Sequence, residues 1–407
     1  MTGGPLRLFA GYGIEIEYAI VDAGTLSVAG LADRVLAAEG GVADADVERG
    51  AIAWSNELAL HVLEWKTNGP AASFAGLAAA FRENVARVEE ILAPLGARLM
   101  PGAMHPWMDP DRETRLWPHA WNETYLAFDR IFGCRGHGWS NLQSTHLNLP
   151  FADDGEFGRL HDAIRVLLPV IPALSASSPA AEGALTGFMD TRLEHYRRNS
   201  ARVPSVTGLV VPERVGSRAE YEERILGRIY ADMAPLDPEG VLRHEFANAR
   251  GCIARFDRMA VEVRIIDCQE NPAADLAVAA AVAGAVRALV EERLSPRERQ
   301  GRWDERDLLP ILLRCAREGS AVLLDGEEYL RTLGWEGRVP CRGRDLWGML
   351  LERGMPLVPG SGEVRPALDA YLAEGTLAER LVKALGPAPD RAAFRRVYGD
   401  LCDRVRG

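Results

Sequence analysis

Glu262 and Arg264 stand two residues apart in Ala260–Asp267, a run that alternates apolar and polar residues as a half-buried strand does. Successive strand side chains point to opposite faces, so Val261, Val263 and Ile265 are expected on one side. Glu262, Arg264 and Ile266 are expected on the other. Ahead of them lie Asn248-Ala249-Arg250-Gly251, then Arg255 and Arg258. So much positive charge converging on one Glu suits an anionic ligand such as a phosphate with its metal. The plainer reading is a surface ion pair.

Other segments carry matching parts. In Gly13-Ile14-Glu15-Ile16-Glu17-Tyr18 the two carboxylates share a strand face. Such a pair repels unless water or a cation intervenes, and oxygen clusters of this kind suit magnesium or manganese. A solvated outer sheet face remains the alternative. In 54–67, Glu64 lies on a strand with Leu60 and Val62. Glu57 is an odd number of residues away, so it joins the same site only if the chain bends near Leu58. In Ser144–Pro150, His146 and Asn148 share one face while Leu147 and Leu149 share the other. A ligand His and a structural His both fit that pattern. Ser178, Thr186 and Arg192 follow in a stretch of small hydroxyl residues and glycines where backbone amides can approach a ligand, with Arg192, Arg197, Arg198 and Arg202 able to clamp a carboxylate.

The elements that must position these residues are a set of strands with intervening helices. A first strand is expected over 6–21, helices over 30–39, 74–92, 156–174, 220–231 and 274–293, and a strand through Leu99. Pro169 and Pro172 break the 156–174 helix near its end. The Trp- and turn-rich stretch after His105-Pro106-Trp107 is expected to be an exposed connection, with a mobile loop over a site as the alternative. Residues 133–138 form a Gly-rich turn without the Gly-Lys-Ser/Thr of a phosphate loop. From 305 onward the chain reads as mainly helical, with no further chemistry, no repeat and no low-complexity linker.

The 407 residues are 47% hydrophobic and 26% charged, ample for a sizeable core. A net charge of −11 argues against nucleic-acid and anionic-membrane partners, whereas local arginines in an acidic chain suit a small anion. Six scattered cysteines show no metal spacing and read as reduced thiols of a cytoplasmic protein. No signal peptide is expected at residues 1–5. The longest apolar run, 276–286, is too short to span a bilayer and reads as a buried helix.

In order, Gly13 to Tyr18, Glu64, His105-Pro106, His146-Leu147-Asn148, Ser178-Pro179 with Thr186-Gly187, and Glu262 to Asp267 resemble the type 2 glutamate–cysteine ligases, also called carboxylate–amine ligases, of the glutamine synthetase superfamily. The resemblance covers roughly residues 8 to 290. It implies an α+β fold: a curved, mainly antiparallel sheet backed by helices, with ATP and Mg2+ or Mn2+ on the concave face. It implies a catalytic domain over 1–295 and a helical C-terminal portion over 296–407 packed on the same unit. The implied reaction joins a small carboxylate, the γ-carboxylate of glutamate, to an amine through an acyl phosphate. The implied metal ligands are Glu15, Glu17, Glu57, Glu64, His146 and Glu262. Arg264, Glu262 and His146 take catalytic roles. Arg264, Asn148, Arg250 and Arg258 face ATP and phosphate, and Ser178, Thr186 and Arg192 hold the carboxylate substrate. A cytoplasmic homo-oligomer, a dimer, is expected. A phosphotransferase or a non-catalytic nucleotide binder on the same scaffold are the rival readings. Departures are His146-Leu147-Asn148 where many relatives carry His-x-His, a first strand unlike their Glu-Glu-Glu or Glu-Leu-Glu, and the arginine block at 248–258. They leave the amine open.

Overall fold

A computed structural model of the chain describes residues 4–40, 46–120 and 122–407. Its centre is an eight-stranded antiparallel sheet. The strands are β1 (Gly13–Asp22), β2 (Val47–Arg49), β3 (Ile52–Asn56), β4 (Val62–Thr67), β5 (Ala97–Met100), β6 (Ser144–Pro150), β9 (Cys252–Arg255) and β10 (Ala260–Asp267). Between β6 and β9 the chain also forms a short separate hairpin of β7 (Ala180–Ala181) and β8 (Ala184–Leu185). The sheet runs β2-β3-β4-β1-β6-β10-β9, with β5 continuing along the far end of β1. The expected α+β class with a helix-backed antiparallel sheet is what the chain adopts.

Alternation explains which face is which. Ile14, Ile16 and Tyr18 of β1, Leu63 and Trp65 of β4, Leu147 and Leu149 of β6, and Val261 and Val263 of β10 are all buried in one core. Each such side chain contributes about 2 kcal/mol by leaving water. The helices Leu77–Leu92, Asp154–Leu167 and Pro272–Val290 cover that face. Asn271 caps the last of these through the Ala274 amide, with Pro272 at its first turn. This helix is long and apolar enough to cross a membrane, but it is the central core helix of the protein. It meets Gly343–Gly354 at a crossing where Gly284 and Gly354 bring two backbones together. A Cβ on Gly284 would lie 2.5 Å from the Gly354 carbonyl carbon. The chain beyond 296 therefore closes the same core, and Leu377–Leu385 and Arg391–Asp403 pack near the end of β1 and β5.

The 54–67 stretch bends as Glu57 required: it is a hairpin in which β3 pairs with β4, with Ser55 opposite Glu64. Three expectations change. The first strand begins at Gly13 rather than residue 6. β10 carries a register shift between Val263 and Ile266, so Ile266 pairs with Thr145 on the core face instead of joining Glu262 and Arg264. The shift puts Asp267 opposite Ser144 in place of Ile266. Finally, the stretch expected as exposed connection contains the helix Asn122–Phe132, whose Phe128 and Ile131 are buried.

Candidate active site

The solvent-side face of the sheet gathers the acids. Directly paired residues of an antiparallel ladder share a face. Glu15 pairs with Lys66 on one side and His146 on the other, Glu17 with Glu64, and Glu262 with Asn148. Four strands thus deliver one row of polar side chains. Gly13 sits across from Asn148, and a Cβ there would press on the Asn148 Cβ at 2.9 Å. Asn148 needs that room, because its Nδ2 donates to Glu15 Oε1 at 3.1 Å.

Two acid groups result. In one, Glu15, His146 and Glu262 bring ligand atoms within 4.8 Å of one another. His146 Nδ1 lies 2.8 Å from Glu15 Oε2 and 3.9 Å from Glu262 Oε1. Arg264 Nε lies 3.1 Å from Glu262 Oε1, and Arg255 Nη1 lies 3.4 Å from Glu262 Oε2. In the other group, Glu17, Glu57 and Glu64 converge within the same 4.8 Å limit. Glu17 Oε2 accepts from the Ser144 amide at 2.8 Å, and Glu64 Oε1 accepts from Ser55 Oγ at 2.7 Å. The hairpin turn after β3 is what brings Glu57 round to join Glu64.

The protonation pattern follows from burial and crowding. Burial pushes Glu64 up to about 8, with Glu15 and Glu57 adding to it. Burial and then Glu17 push Glu57 up to about 7. Burial likewise raises Glu17. Glu15 goes the other way: burial is overcome by the hydrogen bond and charge of His146, and it falls to about 2. His146 rises to about 9 because Glu15, Glu17 and Glu262 outweigh its burial. Burial opposes the charge on Arg264, yet Tyr196 and Glu262 hold its pKa above the ordinary value. A set of oxygen donors with one imidazole, crowded until some must stay protonated, fits a hard divalent cation. Lys66 Nζ, 3.8 Å from Glu64 Oε1 and paired with Asp46, is the nearby ammonium.

These groups line a cavity of about 800 Å³ whose wall includes Glu17, Glu57, His146, Arg192, Arg258 and Arg264. A second recess of about 350 Å³ contains Glu15 and Asn148 and shares Lys66 and Arg258 with the first. Arg192 enters from beneath. Its Nε donates to Asp267 Oδ1 at 2.5 Å, and its Nη2 has no partner among the described residues although the side chain is buried.

Of the residues singled out by sequence, Glu15, Glu17, Glu57, Glu64, His146, Asn148, Glu262, Arg264, Arg258 and Arg192 come together here. Three do not. Arg250 is buried away from the cavity, its guanidinium forked onto Glu213 at 2.6 and 2.8 Å and bound to the Ser205 carbonyl. Its donors are spent, so it cannot serve phosphate. Ser178 Oγ donates to Asp267 Oδ2 at 2.8 Å and accepts from the Arg192 amide, which makes it a brace under the floor. Thr186 sits just past β8, its hydroxyl 2.5 Å from Thr191 Oγ1. Arg255, named from sequence with Arg258, does reach Glu262; residues that sequence reasoning passed over include Lys66, Ser144, Asp267 and Tyr196. Lys66 and Ser144 were within reach, each two residues from a named residue on the same face. Asp267 needed the bulge to be seen.

The model of glutamate–cysteine ligase family 2 matches residues 12–323. An uncharacterised protein of Archaeoglobus fulgidus is 36% identical over 281 residues, covering 69% of this chain and 75% of its own length. A Nocardioides protein named "Putative glutamate--cysteine ligase 2-1" is 28% identical over 62% of this chain and 58% of its own length. One of Rubrobacter xylanophilus named "Putative glutamate--cysteine ligase 2-3" is 30% identical over 52% and 53%. The chain thus spans a little over half the length of these two named relatives. In fold it is similar to the crystal structure of glutamate–cysteine ligase from Francisella tularensis in complex with AMP, with a TM-score of 0.60 over 97% of this chain and 89% of that one, at 12% identity.

Proposed function

We propose that this chain, which belongs to glutamate–cysteine ligase family 2 and so to the amide-forming ligases, is an ATP-dependent carboxylate–amine ligase that works through an acyl phosphate. The observation that carries the reading is the row of acids from β1, β4, β6 and β10 with Arg264 against its end. The nucleotide held by the Francisella ligase is in keeping with a nucleotide substrate here.

In this reading the acid substrate's carboxylate oxygen attacks the γ-phosphorus of ATP. The O–P bond forms as the bond to the β-bridging oxygen breaks, and ADP leaves with the electron pair. The amine nitrogen then attacks the acyl carbon. The C–N bond forms, the carbon–oxygen bond to phosphate breaks, and the nitrogen loses a proton. Glu15, His146 and Glu262 would hold one cation, and Glu17, Glu57 and Glu64 another. Bound magnesium or manganese would neutralise and orient the phosphate oxygens. Arg264 faces charge developing on the transferred phosphoryl, held in place by Glu262. Lys66 and Arg258, common to both volumes, can pass the phosphate chain from the smaller recess, which suits the nucleoside, to the larger. Arg192 has a free Nη2 for the carboxylate end of the acid, taken here as glutamate with its γ-carboxylate reacting. Residues 1–295 carry the chemistry and 296–407 brace the helices behind it, in a cytoplasmic enzyme that acts as a homodimer.

The test is an ADP-release screen over acids and amines with magnesium or manganese, with mass analysis of the product. Amide formed one-to-one with ADP is the expected result. ADP with a phosphorylated product and no amide would make it a phosphotransferase. Nucleotide binding without turnover would make it a binding protein.

A further inference from the structure

We propose that the amine joined by this enzyme carries an aromatic or bulky apolar group, seated on an aromatic wall of the main cavity; the inference rests on the ligase reading above. Besides the acids, the cavity is lined by Tyr125, Phe128, Trp139 and Phe246, with Leu142 and Val206. Phe128 is the hub, its ring centroid 5.2 Å from Trp139 and 6.3 Å from Phe246. The Trp139 indole N–H donates to the Asn199 carbonyl at 3.0 Å, so its one polar atom is satisfied by the protein. Phe246 is backed by the His244 ring, stacked at 5.2 Å.

None of these side chains comes from the sheet. Tyr125 and Phe128 stand on the helix Asn122–Phe132, and Trp139 on the turn of helix His137–Ser140. The phosphate chain has no use for such a surface, since its partners are Lys66, Arg258 and Arg264 on the sheet side. A cysteine-sized amine would leave the open edges of these largely buried rings against water, and concave apolar walls of this kind mark ligand seats. The wall also points its occupant at the chemistry. Tyr125 Oη accepts from Asn56 Nδ2 at 3.1 Å, and Asn56 immediately precedes Glu57. A molecule lying on the rings places its polar end beside Glu57 and Glu17, where the nitrogen must meet the acyl carbon. Burying about 100 Å² of ring there favours such an amine by roughly 50-fold over a small one.

The test uses the full chain with glutamate, ATP and magnesium. Phenethylamine and tyramine are compared with ethylamine and cysteine by ADP release, and at least a tenfold higher kcat/KM is expected for the aromatic pair. Phe246→Ala and the milder Phe128→Leu should raise the KM for phenethylamine tenfold or more while shifting the KM for ATP less than twofold. Phenethylamine should also change the tryptophan fluorescence of the wild type without turnover, with a non-hydrolysable ATP analogue present, and the change should be lost in Trp139→Phe. Preference for cysteine or ethylamine overturns the proposal. So does a raised KM for ATP in Phe246→Ala, which would give the wall to the adenine. Fluorescence binding with no ADP release from any amine keeps the seat and overturns the ligase reading; absence of binding overturns the seat alone.

Discussion

If the six acid and imidazole ligands are a divalent-cation site, removing the cation must make the fold sensitive to pH in a defined direction. Glu57 and Glu64 have folded pKa values of about 7 and about 8, against an ordinary 4.5. Between the ordinary and the folded value, the folded protein binds protons that the unfolded chain does not. Stability therefore falls as pH rises through that window, by about 1.4 kcal/mol per pH unit for each extra proton held. His146, raised from 6.5 to about 9, acts in the same direction: its contribution is present below 6.5 and is lost as pH rises towards 9. Glu15, depressed to about 2, has no effect near neutrality, since its contribution is lost only as pH falls below the ordinary carboxylate value. Near pH 6 the nearly two extra protons on Glu57 and Glu64 give a slope of about 2.5 kcal/mol per unit, falling to about 2 at pH 7 where Glu57 is half ionised, which for a chain of this size is on the order of 2–3 °C in Tm per unit. The assay is thermal unfolding from pH 6 to 8 in EDTA and in saturating magnesium. Tm should fall more steeply with pH in EDTA than with magnesium, because the cation favours the ionised carboxylates. Asp275, pushed up to about 7 by burial, adds a slope common to both conditions, so the difference between them is the readout. Equal slopes with and without magnesium would refute the cation site.

Three further outcomes follow from the same geometry. Glu17→Gln and Glu262→Gln should each cut ADP release by about 10²–10³-fold with an unchanged far-UV spectrum, as expected when charge stabilisation at the transferring group is lost; near-normal turnover in both would remove the assignment. Arg250→Ala should cost about 2–4 kcal/mol in urea unfolding, since it strands Glu213 and the Ser205 carbonyl, while the KM for ATP of the folded fraction stays unchanged. Tyr18→Phe should cost about 1–2 kcal/mol by removing the 2.5 Å hydrogen bond to buried Asp275, again read by urea unfolding.

What could be read from the sequence was whatever obeyed local periodicity. Glu15 and Glu17, His146 and Asn148, and Glu262 and Arg264 are i, i+2 pairs on unbroken strand segments, and two-residue alternation placed each pair on one face. The failures come where periodicity stops. The shift after Val263 exchanged Ile266 for Asp267, and with it concealed the carboxylate that holds Arg192. Arg250 looked like phosphate chemistry because arginines cluster there, yet its partner, Glu213, is 37 residues away and pairs with it only in three dimensions. The aromatic wall was invisible for a similar reason. Tyr125 and Phe128 sit on an 11-residue helix within a stretch of turn-forming residues, too short for its apolar spacing to stand out.

The register of β1 ties these observations together. Glu15 and Glu17 belong to different acid groups, and their Cα atoms lie about 7 Å apart along one strand. A slip of one residue would turn both carboxylates into the core and empty both groups at once. The chain guards against this at each end of the pair. Gly13 leaves room for Asn148 to grip Glu15, and Tyr18 reaches through the core to Asp275. Asp275 is a costly residue to bury, but it also receives Thr145 Oγ1 at 2.8 Å and the Gln269 amide at 2.7 Å. One carboxylate at the start of the core helix thereby fixes β1 and β6, and the segment leaving β10, relative to one another. Those are three of the four strands that supply the acid row, so the buried Asp behind the sheet sets the spacing of the acids in front of it.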